Sequence, residues 1–185
     1  MLISIMHLTV LLFHPAIFFE NREVSSGLKP FSYIVIQLLG LSFVSGVSSM
    51  VRETSKAAYP DAPVFLSGFL EGLLWFSVLI GGFGLVLHAC IFLSGKRAPV
   101  LQTLSILIYS IIPISVALIL ASLILLFGPW ASIPYVIIAL WVILIVTGFS
   151  WTTYILAEGI KKNFNIPRFK TVFFTCISLL VPLIH

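Results

Sequence analysis

Residues 92–99 read FLSGKRAP. Two adjacent cations, Lys96 and Arg97, stand between an apolar run at about 64–93 and another at about 100–127. Both runs exceed the roughly 20 apolar residues a helix needs to cross the hydrocarbon of a bilayer. The stretch therefore reads as the turn of a tight helical hairpin. Gly95 lets the backbone leave the second span, and Pro99 suits the first turn of the third. Lysine and arginine gather on the cytoplasmic side of membrane proteins and meet anionic headgroups there, so the pair places this turn inside the cell.

Composition agrees. The chain has 185 residues, of which 60% are hydrophobic and 9% charged, with a mean hydropathy of +1.19. A soluble domain carries about 25% charged residues, so the polar surface here is too small to cover a water-facing particle. Ten Lys and Arg against six Asp and Glu give a net charge of +4. These cations lie in connections between apolar runs, which points to membrane orientation and away from nucleic acid. Cys90 and Cys176 fall inside apolar runs and read as packing residues, not as a disulfide framework.

Working outward from the turn, five spans are expected, at about 31–50, 64–93, 100–127, 133–157 and 169–184. The third is the most apolar: residues 106–127 contain fifteen Ile, Leu, Val or Phe. At about 0.3–0.6 kcal/mol each, these favour insertion by more than any single polar residue in the run costs. The fifth is the shortest. Residues 1–30, opening MLISIMHLTVLLFHPAIFFENR, lack a basic n-region and a small-residue cleavage site. His7, His14 and Pro15 make this segment a poor span, and it is expected as an interfacial helix. The fold class is thus all-α, a polytopic bundle in one membrane domain.

Counting cations by connection orients the bundle. Arg22, Lys29, Lys96, Arg97, Lys161, Lys162, Arg168 and Lys170 fall on one side, and only Arg52 and Lys56 on the other. The N-terminus is then cytoplasmic and, with five spans, the C-terminus outside. In the third loop Gly128 and Pro129 stop a helix, Ser132 can cap the next, and Trp130 and Tyr135 suit the interface.

Packing and function depend on few polar residues. Ser42, Ser45, Gly46 and Ser49 share one helical face, and Gly68 and Gly72 form a small-xxx-small pair. Ser77, Gly81, Gly84 and His88 continue a narrow stripe. Such stripes read as helix seams within the monomer or a dimer, or as a ligand groove. Glu71 is the conspicuous acid. If residues 74–93 cross the membrane, it sits in the outer interface beside Trp75; if the helix tilts, it enters the core. His88 lies 17 residues further on, about 25 Å along a helix, so the two form no acid–base pair within one protomer. Pro113 withdraws a hydrogen bond from the Tyr109 carbonyl and should kink the third span; a neighbouring side chain or water must then satisfy that carbonyl. Glu71, His88, Tyr109 and Pro113 are the candidate intramembrane polar or partner contacts. Lys96, Arg97, Lys161 and Lys162 are the candidate cytoplasmic lipid or partner contacts.

Residues 87–113, LHACIFLSGKRAPVLQTLSILIYSIIP, resemble the Yip family of Ypt-interacting membrane proteins. Gly95, Gln102, Tyr109 and Pro113 fall at matching places. Trp141 and Gly148 in ALWVILIVTGFSWTTYILAEGI, and the segment LLFHPAIFFENREVSSGLKPF, are similar to the family as well. The resemblance implies five spans and a cytoplasmic N-terminus. The family turn usually carries paired glycines, where this chain has Ser94-Gly95-Lys96-Arg97. For eukaryotic members it implies contact with Rab-type GTPases and a role in vesicle traffic. This chain lacks their long hydrophilic N-terminal region, which weighs against a GTPase partner and suggests a compact, prokaryotic-type member.

The expectation is therefore a non-enzymatic membrane protein that organises the bilayer, further copies of itself or other membrane proteins, with no cofactor, metal or nucleic acid. Its expected place is a prokaryotic cell membrane or, alternatively, the endoplasmic reticulum or Golgi membrane. A transporter or channel is the alternative, with a polar path near Glu71, His88 and Tyr109. An intramembrane enzyme would need a nucleophile near a base or clustered ligands, and no HExxH, GxSxG or CxxC occurs.

Overall fold

A computed structural model of the chain describes residues 9–20, 29–54, 62–127 and 134–180. Every element in them is helical: α1 (9–13), α2 (Pro15–Glu20), α3 (Lys29–Thr54), α4 (Ala62–Leu93), α5 (Val100–Ser110), α6 (Ile112–Phe127), α7 (Pro134–Phe164) and α8 (Arg168–Leu180). Among the described residues, four stretches are long and apolar enough to cross a membrane: Pro30–Met50, Pro63–Leu93, Val100–Ile124 and Tyr135–Phe164. The third contains both α5 and α6. In α8 the 13 described residues make about 20 Å of helix, short of the ~30 Å hydrocarbon. The expected fifth span thus appears as a shorter helix, and its last residues, 181–184, lie outside the described ones. So do Arg22, Lys56 and residues 128–133 of the third loop, with Gly128, Pro129, Trp130 and Ser132.

The third span is the hub. Its most apolar window is 61% buried, against 11–22% for the other three. On one side it meets α3 and on the other α7, while α4 pairs chiefly with α3 and α8 packs on α4 and α7. Large side chains line the outside, among them Leu74, Leu85, Ile143 and Phe169, each more than half exposed. A wall of that kind would aggregate in water, and it is what lipid requires.

The hairpin turn forms as its residues dictate. Ser94 ends α4 by bonding back to Cys90 and Ile91, and Gly95 takes φ +79°, the left-handed region open to glycine. Pro99 occupies the N-cap of α5, one residue before the first turn where it was expected. The fourth span runs seven residues past its expected end, so Lys161 and Lys162 belong to the last turn of α7 and not to the connection. Cations there complement the partial negative charge of a helix C-terminus. Asn165, at φ 49°, then stops the helix.

Of the N-terminal segment, the structure describes residues 9–20. His14 separates two short helices, and Leu11, Phe18 and Phe19 enter the main core with Leu87, Ile91, Ile106, Tyr109 and Ile155. The reason is that lipid is not the only apolar surface within reach: α5 and α7 leave a crevice that these side chains fill.

Candidate functional site

The sequence-predicted residues fall into three separate places. The first surrounds Pro113. The helix breaks at Ile111 (φ −81°, ψ −4°), between α5 and α6. Flanking helices supply the hydrogen bonds at the break. From α3, Gln37 Nε2 donates to the Ile108 carbonyl at 3.1 Å. From α7, Thr152 Oγ1 accepts from the Ile114 amide at 3.2 Å. Side-chain hydrogen bonds thus reach the carbonyl of Ile108 and the amide of Ile114, which flank the Tyr109–Pro113 pair. Among the described residues, Gln37 Oε1 is buried without a hydrogen-bond partner.

Tyr109 lies two residues before the break. Its ring meets Phe18 of α2 at 5.1 Å and Tyr33 of α3 at 5.5 Å, and Phe18 meets Phe19 edge-on at 5.3 Å. Such contacts add about 0.5–1.5 kcal/mol per pair beyond simple burial. Gly159 makes room for the node, since a Cβ there would touch Ile106 Cγ2 at 2.7 Å and the Phe19 ring at 3.0 Å. Trp151 Nε1 donates to the Leu12 carbonyl at 3.0 Å, and Lys162 Nζ donates to Glu20 Oε1 at 2.8 Å. Residues 12–20 therefore run beside the second half of α7. The Lys162 ammonium holds the Glu20 carboxyl below the usual carboxylate range. Above this clasp an apolar groove of about 320 Å³ opens, lined by Leu12, Pro113, Ala117 and Gly148 among others.

The second place is the basic end. Gln102 Nε2 donates to Asn163 Oδ1 at 3.1 Å, tying the start of α5 to the end of α7. This bond brings the Lys96–Arg97 turn and the Lys161–Lys162 turn to one end of the bundle. Lys161 also pairs at 3.8 Å with Glu158, whose side chain is 10% exposed.

The third is the far half of α4. Gly68 and Gly72 face α3, where added Cβ atoms would meet Ser49 Cβ at 2.7 Å and Ser45 Cβ at 2.6 Å, and Gly46 of α3 faces α4, where a Cβ would meet the Phe65 ring at 2.7 Å. The small-residue faces of α3 and α4 thus form one seam inside the monomer. Beside it, Ser45, Ser48, Ser49, Glu71, Gly72, Trp75 and Phe76 line a groove of about 300 Å³. Glu71 is exposed. It stands 22 residues, about 33 Å, from Leu93 at the other end of α4. His88 is half-buried against α5, its Nδ1 3.3 Å from the Thr103 hydroxyl. Glu71, His88 and Tyr109 are therefore not gathered around one path. Among the described residues no three His, Cys, Asp or Glu side chains come together as a metal site.

A family model, the Yip1 domain, matches residues 9–185. The chain belongs to the Yip1 family. No curated protein and no solved structure matches it. With four long apolar helices, this Yip1-domain protein is a multi-pass membrane protein, and the family is in general one of non-catalytic membrane proteins. Its match begins at residue 9, so the α1–α2 clasp on α7 lies within the family domain.

Sequence reasoning passed over Gln37, Thr103, Trp151, Thr152, Glu20 and Asn163, which make the cross-links described above. Gln37 carried a usable signal as the one amide in its apolar run, because a polar side chain in hydrocarbon seeks a partner. The others carried none, since nothing in their local spacing names a partner on a distant helix.

Proposed function

We propose that this Yip1-domain protein is a non-enzymatic membrane organiser that works through its lipid-facing wall, its basic end and helix contacts with further copies or other membrane proteins. The observation that carries the reading is how its polar groups are used. Inside the bundle, Gln37, Thr152, Trp151, Gln102 and His88 face other helices and hold them together. A transport path instead needs convergent polar groups along a wet route. In this reading a fifth span at about 169–184 crosses the membrane, with the N-terminus cytoplasmic and the C-terminus outside a prokaryotic cell membrane. Lys96 and Arg97, together with Lys161 and Lys162, then lie at the inner surface, where an unpaired cation contributes about 1 kcal/mol of attraction to anionic lipid and the pairs of Lys161 with Glu158 and Lys162 with Glu20 lessen theirs. Trafficking through a GTPase partner forms no part of the proposal.

Reconstitution tests it. Purified protein in anionic vesicles should change vesicle shape, and photocrosslinking from the 94–99 turn in native membranes should capture a membrane partner or a second copy. Unchanged vesicles together with no crosslinked product would overturn the reading. A transporter remains the second reading, favoured by the Glu71 groove alone. Specific flux through proteoliposomes, lost in Glu71→Gln, would replace the first reading with it.

A further inference from the structure

The groove between α3 and α4 differs from the rest of the bundle in one chemical respect. Serines in these helices generally bond back to a carbonyl three or four residues earlier, as Ser42, Ser67, Ser77, Ser105, Ser110 and Ser115 do. Ser45, Ser48 and Ser49 make no such bond among the described residues, and the Glu71 carboxylate beside them has no ion-pair or hydrogen-bond partner there. Ser122 of α6 also lacks one among the described residues, but it does not line this groove. Three serines and Glu71 thus line a space of about 300 Å³ together with Trp75 and Phe76. That volume sits at the lower end of the range for small-ligand sites, about 300–1,000 Å³.

Their chemistry selects the ligand. A carboxylate excludes anions from the groove. One carboxylate with neutral hydroxyls is too poor a donor set for a divalent metal, which takes six or more oxygen ligands or several imidazoles and thiolates. A cation over an indole face is favoured electrostatically. Among organic cations a quaternary ammonium donates no hydrogen bond and would leave the hydroxyl oxygens idle. A primary ammonium has three N–H donors, enough for the carboxylate and two serines. The level also fits: Glu71 is about 33 Å from the basic end of α4, where a hydrocarbon layer of ~30 Å gives way to headgroups.

We propose that this groove binds a primary ammonium group, that of an aminophospholipid headgroup or of a free amine. Glu71 supplies the counter-charge, Ser48 and Ser49 the accepting hydroxyls, and Trp75 an aromatic wall. The proposal is independent of the organising function argued above, since lipid selection at the opposite end of the bundle requires neither membrane shaping nor transport.

The test uses the full chain in nanodiscs. In an equal mixture of ethanolamine- and choline-headgroup phospholipids, native mass spectrometry should find the ethanolamine lipid retained about tenfold or more over the choline lipid, the scale of one lost charge-assisted hydrogen bond. Glu71→Gln should bring the ratio to parity, and Ser48→Val, at an exposed position away from the glycine seam, should lower it in part. A second arm titrates ethanolamine calorimetrically into protein in choline-only nanodiscs. Retention of the lipid assigns the site to a headgroup. Binding of ethanolamine alone, lost in Glu71→Gln, assigns it to a free amine. Parity in the wild type with no heat from ethanolamine, or a preference unchanged in both variants, overturns the proposal.

Discussion

Two regions of the bundle hold their helices by different balances of contact. Between α3 and α4 the contact depends on what is missing. Gly46, Gly68 and Gly72 let backbones approach until added Cβ atoms would collide with the facing helix. Around α5, α6, α7 and the N-terminal helices, close approach at Gly148 and Gly159 is joined by what is added: Gln37 of α3, and Thr152, Trp151 and Lys162 of α7, each reach across to another element. Lipid explains why both exist. Hydrocarbon competes with apolar packing on nearly equal terms, so helices associate through close backbone contact or through hydrogen bonds that lipid cannot offer.

The α3–α4 seam gives the sharpest way to break this contrast. Gly72→Ala places a Cβ 2.6 Å from Ser45 Cβ and 3.2 Å from Ser42 Cα, and overpacking of this kind costs about 1–3 kcal/mol. On the same helix Gly81→Ala meets nothing within 4 Å and should change stability by less than about 0.5 kcal/mol. Reversible unfolding in detergent measures both, and equal effects would mean that the seam does not hold the pair.

Next comes the proline break. Thr152→Val keeps shape but strips the Ile114 amide of its acceptor, at a cost of about 0.6–1.7 kcal/mol for an interhelical hydrogen bond in a membrane protein. In a Pro113→Ala background the helix can close on itself, so the same change should cost less, and a double-mutant cycle measures the coupling. Gln37→Leu should cost less than Thr152→Val, because it also removes Oε1, an acceptor buried with no partner among the described residues. The reverse order would show that this oxygen is satisfied in the bilayer.

The clasp should respond least. Trp151→Phe removes the donor to Leu12 and should loosen residues 9–13, with about 0.6 kcal/mol lost, read as faster cleavage or hydrogen exchange there. Glu20 has its pKa lowered by Lys162 from an ordinary 4.5. Its contribution is therefore complete above that ordinary value and fades as pH falls through the lowered one. Because the pair is solvent-exposed, salt should weaken it too. Exchange at residues 15–20 that ignored both acid and salt would show that the aromatic node alone holds the clasp.

The two regions were also unequally legible. Gly68, Gly72, Ser45 and Ser49 repeat at helical spacing, so the seam could be seen one helix at a time and needed only a partner. Pro113 announced the break, since proline has no amide to give. Thr152 and Trp151 announced nothing, being ordinary residues until folding brings the amide of Ile114 or the carbonyl of Leu12 within reach. The candidate site residues show the same limit: their number and polarity were readable, but their dispersal to three places was not.

What the sequence alone determined is the solvent and the scaffold. A chain with 9% charged residues and uninterrupted apolar runs must cross lipid as helices, because no other open structure satisfies its backbone there. Tertiary structure decided which helix lies at the centre, that residues 9–20 fold into a crevice beside α7, and that Glu71 looks into a groove far from His88. Those outcomes depend on which surfaces meet. Contact between distant segments is a property of shape and pairing in three dimensions, and no local period records it.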